Sequence, residues 1–198
     1  LLTIQQVCCI NALVSFMEHI FLAAGSAIPP HIATTVIGVI QVLTVCVTSV
    51  LVEKLGRKFL LLSSTIGSGV SIILLGLYFY MQSHSFNILA YFWWLPIICL
   101  LMYIISFNLG LGAVPWTILS EIFPANVRSS ASALESSLCF GASFVVTIAF
   151  PILSEILGMA QCFWIFGLCC ILGVVFIHFV VPETKGKSLM EIQAMLSD

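Results

Sequence analysis

Six stretches of this chain are long and apolar enough to cross a lipid bilayer, and this limits every other choice open to the backbone. A spanning helix needs roughly 20 predominantly apolar residues. Windows of that size pick out 1–24, 31–52, 59–81, 91–120, 129–153 and 159–181. The links between them, GSAIPP, EKLGRK, QSHSFNILA, FPANVR and SEILG, are short and polar or proline-bearing. The alternation over roughly ten-residue strands that a lipid-embedded barrel requires is absent. Lipid offers the backbone no hydrogen-bond partners, so each segment must pair its own N–H and C=O groups. The pattern predicts an all-α membrane protein of six transmembrane helices.

Composition agrees. Of 198 residues 61% are hydrophobic and 7% charged, with a mean hydropathy of +1.22, against about 25% charged in a soluble domain. A net charge of −2 with no basic patch gives no grip on nucleic acid. The eight cysteines lie in apolar runs without metal-ligand or secreted-framework spacing, and read as packing residues. His19, His31, His84 and His178 are scattered, and nothing resembles a catalytic triad or a phosphate loop, so neither an enzyme nor a cofactor is expected. Leu1 opens directly into the first apolar run, and the expectation is a fragment of a longer protein.

The basic residues give the orientation. Lys54, Arg57 and Lys58 follow the second span, Arg128 the fourth, and Lys185 and Lys187 the sixth. By the positive-inside rule those segments and both ends of the chain are cytoplasmic. In the tail, Leu189, Ile192, Met195 and Leu196 fall at helical spacing, which predicts a short amphipathic helix over 185–198 beyond a bundle covering 1–184. A frayed, solvated tail is the alternative.

Two spans carry polar anomalies. The fourth is interrupted by Gly110, Gly112 and Pro115, followed at once by Trp116. Freed backbone groups are tolerable only where such a helix faces protein or a watery cavity, and in transporters interrupted helices recur at matching positions of internal repeats. The fourth span opens the second group of three, so its counterpart is the first. There Gln5, Cys8, Asn11, Ser15 and Glu18 form a stripe about 140° wide at helical periodicity. Amides both donate and accept, which suits the hydroxyls of a neutral polyol, and Gln41 adds a third site amide from the second span. Trp116 offers a flat face for a sugar ring. The same amides can instead tie helices together.

The stretches QQVCCIN, EKLGRK, PWTILSEIFPANVR and VPETKGKSL resemble, in order and spacing, the C-terminal half of sugar porters of the major facilitator superfamily. Those motifs read QQxSGxN, D/E-R/K-x-G-R-R/K, PWxxxSEIFPxxxR and PETKG. The wider pattern, including AGS after the first span, resembles the facilitated trehalose transporter branch. The resemblance implies helices seven to twelve of a twelve-helix alternating-access carrier, whose partners are a neutral sugar, the lipid bilayer of the plasma membrane and a missing N-terminal six-helix half. It implies that Gln5, Gln6, Asn11, Gln41 and Trp116 contact sugar. It also implies that Glu53, Arg57, Glu121 and Arg128 form a cytoplasmic charge network latching one state, with Pro182 to Gly186 beside it. Glu121 and Arg128, seven residues apart in a charge-poor chain, are suited to such a bistable contact.

Departures from the pattern carry their own expectations. Cys9 replaces a glycine, which predicts a less kinked first helix; Ser15 and Phe16 replace an aromatic pair. Cys139 and Phe140 stand for an Asn-Trp pair, which removes one expected sugar hydrogen bond. Facilitative sugar transport leads; proton-coupled symport through Glu18 or Glu135, a non-transporting sugar sensor and an inactive fragment are the alternatives.

Overall fold

The computed structural model describes residues 2–24, 29–84, 92, 94–122 and 125–181, with the backbone alone at 30, 53, 119–122 and 125–128. Among these residues every regular element is helical. The first apolar run gives α1 (Leu2–Val7), α2 (Ile10–Ser15) and α3 (Met17–Ala24), and the second gives α4 (Pro30–Leu55). The third is α5 (Arg57–Ser83), the fourth α6 (Leu95–Leu109) and α7 (Val114–Ile122), the fifth α8 (Ala125–Ile156), and the sixth α9 (Met159–Val180). Helix ends follow local chemistry. α4 starts on Pro30, whose missing N–H falls where no helical partner exists. α4 passes into α5 through Gly56 at φ 91°, and α8 into α9 through Gly158 at φ 94°, backbone states that suit glycine.

Five spans are long single crossings or nearly so, and the first is bent by 68° between residues 2–15 and 17–24. This corrects the expectation of a straighter first helix. Cys9 adopts the left-handed conformation, φ 73° and ψ 17°, in the place where glycine was missed. The conformation costs a side-chain-bearing residue roughly 1–2 kcal/mol. It persists because tertiary partners hold both sides of the break: the Cys8 carbonyl accepts the Tyr103 hydroxyl at 2.7 Å, and Cys8 and Cys9 are both fully buried. The second turn, at Phe16, is held by stacking on Phe150, with ring centroids 5.6 Å apart.

α5 is among the more buried of the long spans and packs against α6 and α9. Leu60, Leu61, Ile72, Leu75, Tyr78 and Phe79 supply its apolar contacts. Two of its buried hydroxyls turn back on their own helix, Thr65 donating to the Leu61 carbonyl at 2.6 Å and Ser71 to the Gly67 carbonyl at 2.8 Å. α1 and α2 lie on α8, and α4 lies on α6 and α3. α4 and α8 bury little of themselves, and this sparse burial leaves apolar faces open on both.

Candidate functional site

The broken first and fourth spans meet, and the polar side chains of the first span meet α8. α6 ends at Leu109, residues 110–113 lie outside the helices, and α7 restarts at Val114. The groups at this break find partners on three other elements. The Leu111 N–H donates to Ser64 Oγ on α5 at 2.8 Å. The Asn108 carbonyl accepts from Thr48 Oγ1 on α4 at 3.1 Å. Gln5 Nε2 on α1 reaches the Gly112 carbonyl at 3.5 Å. Gly110 is required by proximity: a Cβ there would sit against the Leu60 carbonyl and 2.6 Å from Ser64 Cβ. Pro115 occupies the first turn of α7, where a missing N–H breaks no helical bond.

Asn11 Nδ2 donates to Gln6 Oε1 at 2.6 Å and to Ser143 Oγ on α8 at 2.7 Å. Gln6 Nε2 donates to Cys139 Sγ at 3.1 Å. Cys139 is therefore a buried acceptor for an amide, not merely a deletion of the expected asparagine. Gln5 is 6% exposed, and its Oε1 has no hydrogen-bond partner among the described residues. Trp116 stands two residues into α7 and is 38% exposed, so its ring remains available beside the break.

The other predicted residues lie apart or beyond the described side chains. Gln41 is half-buried on α4 and joins no hydrogen bond of this cluster. Glu18 does not continue the amide stripe, because the bend at Phe16 turns α3 away, and it is exposed. Arg57 begins α5 and is half-buried. The side chains of Glu53, Glu121 and Arg128, the segment Pro182 to Gly186 and the tail 185–198 lie outside the described residues. Lys58, at the start of α5, donates to the His178 carbonyl near the end of α9 at 2.8 Å, a cation on the negative end of a helix dipole.

Residues 1–196 match the family described as "Sugar (and other) transporter". The chain belongs to that family. This sugar-transporter family member is 36% identical to the facilitated trehalose transporter Tret1 of Bombyx mori over 197 residues, which is 100% of the chain and 39% of that protein. It is 37% identical to Tret1 of Drosophila erecta over 98% of the chain and 22% of that protein. Among solved structures, the major facilitator superfamily proton:xylose symporter XylE bound to 6-bromo-6-deoxy-D-glucose superimposes with a TM-score of 0.82 and 30% identity, covering 98% of the chain and 41% of that protein. The inward-open conformation of XylE from E. coli gives 0.72 and 28%, covering 96% and 41%. The chain thus spans between about a fifth and about two-fifths of the length of these relatives. As a member of the family it has the major facilitator fold and is a multi-pass membrane protein, and its relatives are transporters rather than enzymes.

For this family member, sequence reasoning missed Thr48, Ser64, Tyr103 and Ser143. Each acts across a long sequence separation, which helical periodicity does not report. One signal was present: Cys139 and Ser143 are four residues apart, and so share one face of α8.

Proposed function

We propose that this chain is the C-terminal half, helices seven to twelve, of a twelve-helix carrier that moves a neutral sugar down its gradient by alternating access. In this reading residues 1–184 form the bundle and 185–198 a cytoplasmic tail with a short amphipathic helix. Both ends are cytoplasmic, and the carrier sits in the plasma membrane. The bilayer and an N-terminal six-helix half are its partners, and a hexose or a disaccharide such as trehalose is its substrate. Gln5, Gln6, Asn11, Gln41 and Trp116 contact the sugar. Glu53, Arg57, Glu121 and Arg128 latch the cytoplasmic side.

The observation that carries this reading is Gln5. It lies at the contact of the two broken spans, nearly buried, with Oε1 unpartnered. A buried acceptor left so costs about 1–3 kcal/mol. A sugar hydroxyl donating to it would recover that cost, as would no apolar substrate. The test is uptake of radiolabelled glucose and trehalose by the full-length protein beside Gln5→Leu and Trp116→Ala. Both variants should lose at least roughly tenfold, the loss of one or more hydrogen bonds or a stacked ring. Uptake indifferent to both would sink the assignment.

A second reading, proton-coupled symport, is favoured by the likeness to a proton:xylose symporter. Glu18 on α3 and Glu135 on α8 are the carboxylates within spans that could serve it. Uptake that collapses when the pH gradient is dissipated would select this reading over the facilitative one.

A further inference from the structure

Both residues at the first break of the first span are cysteines, and one of them meets a third cysteine on another span. α1 lies against α9. Gly173 allows the approach, since a Cβ there would stand 3.0 Å from Ile4 Cγ2. The Cys8 N–H donates to the Ile4 carbonyl at 3.0 Å, so Cys8 completes the last turn of α1 on the same face as Ile4. One turn back along α9 from Gly173 stands Cys170. The two thiols meet there and hydrogen-bond to each other. Both are free and buried. The backbone of Cys8 is held as well, by the Tyr103 hydroxyl on its carbonyl.

Cys170 also forms part of the wall of an apolar crevice of about 250 Å³ between α5 and α9, shared with Thr65, Gly69, Val70 and Ile73. That space admits a small neutral oxidant, since a water molecule takes up only about 30 Å³. Cys169, the preceding residue, points about 100° away around the helix. It lines a different crevice, between α1 and α9, with Thr3 and Val7.

We propose that Cys8 and Cys170 are a redox-sensitive pair, which a peroxide entering the crevice between α5 and α9 joins as a disulfide, pinning the break of the first span to α9. The Cys170 sulfur attacks a peroxide oxygen and the O–O bond breaks. This leaves a sulfenic acid on Cys170, and the thiol proton goes to the departing oxygen, released as water or an alcohol. The Cys8 sulfur then attacks the Cys170 sulfur: the S–S bond forms, the S–O bond breaks, and the hydroxyl leaves as water with the Cys8 proton. The two thiols lose two electrons and the peroxide gains them. This chemistry is separate from sugar transport and does not rest on it.

The experiment treats membranes holding the full-length protein with hydrogen peroxide or with a fatty-acid hydroperoxide. Free thiols are alkylated after denaturation, and linked peptides are sequenced by mass spectrometry. A link between Cys8 and Cys170 should form and be reversed by dithiothreitol. The reagent that acts at the lower dose identifies whether the oxidant arrives through water or through lipid. The oxidised protein should unfold several degrees higher, because the link closes most of the chain into one loop. Cys9→Gly and Cys169→Ser should keep the link, whereas Cys8→Ser and Cys170→Ser should abolish both the link and the rise in unfolding temperature. The proposal is overturned if both thiols remain open to alkylation at every dose that leaves the protein folded. It is also overturned if the link runs through Cys9 or Cys169, or if oxidation halts at the sulfenic acid on Cys170. The wild-type peptides decide the matter even where a serine variant fails to fold.

Discussion

Cys9 holds a backbone state, φ 73°, that a side chain disfavours, and it does so fully buried beside the Cys8 carbonyl that Tyr103 holds. The strain makes a residue-scale prediction with a distinctive sign. Cys9→Ala and Cys9→Gly both delete the thiol, so lost packing is common to the two. In an ordinary helix interior alanine is better than glycine by about 1 kcal/mol. At a left-handed position the order inverts, because only glycine escapes a penalty of roughly 1–2 kcal/mol. Cys9→Gly should therefore be the more stable, read by thermal unfolding in detergent. A more stable alanine variant would mean the first span is continuous there. The break was not legible in the sequence for a simple reason: its usual marker, glycine, is absent, and the strain is held by Tyr103, 95 positions away along the chain.

At the scale of elements, α5 holds the fourth span together where that span interrupts itself. Ser64 and Ser68 sit one turn apart on it and are both buried, yet they should respond oppositely to truncation. Ser64 Oγ accepts the Leu111 N–H, so Ser64→Ala strands a buried donor and should cost about 1–3 kcal/mol. Ser68 Oγ has no partner among the described residues, so Ser68→Ala removes an unsatisfied group and should be neutral or stabilising. Paired unfolding measurements on the two variants decide the matter, and equal costs would remove Ser64 from the support of the break. Gly110→Ala tests the same junction from the other side. A methyl group against the Leu60 carbonyl and Ser64 should destabilise by at least roughly 1–3 kcal/mol, seen as a lowered unfolding temperature.

Much at this scale could be read beforehand. Apolar run length placed α4, α5, α8 and α9 within a few residues, and the Gly-Pro cluster marked where α6 gives way to α7. The amides of the first span were visible as a stripe, but drawing the stripe on a straight helix carried Glu18 along with it. The 68° bend removes Glu18 from that face. The hydroxyls that pair with the breaks were invisible, because serine and threonine in a helix usually bond their own turn, and nothing local distinguishes Ser64 from Ser71, whose hydroxyl does bond its own helix, at the Gly67 carbonyl.

At the scale of the whole molecule, the faces of α4 and α8 pose the remaining question. Val39, Val42, Leu43 and Val50 are exposed on α4, and Leu134, Leu138, Phe140 and Phe144 on α8. Hydropathy could not assign these faces in advance, because lipid tails and a partner helix are equally apolar solvents. α4 also carries Gln41, and α8 also carries Glu135, polar groups that lipid would leave without partners. A protein partner enclosing a wet cavity would serve them. On the proposed reading, the chain expressed alone carries no glucose or trehalose above background, whereas co-expression with the proposed N-terminal six-helix half restores uptake. Blue-native electrophoresis should show the two segments migrating together. Uptake by the lone chain would instead require two copies to cover each other's faces, and its rate would then rise with the square of the amount expressed.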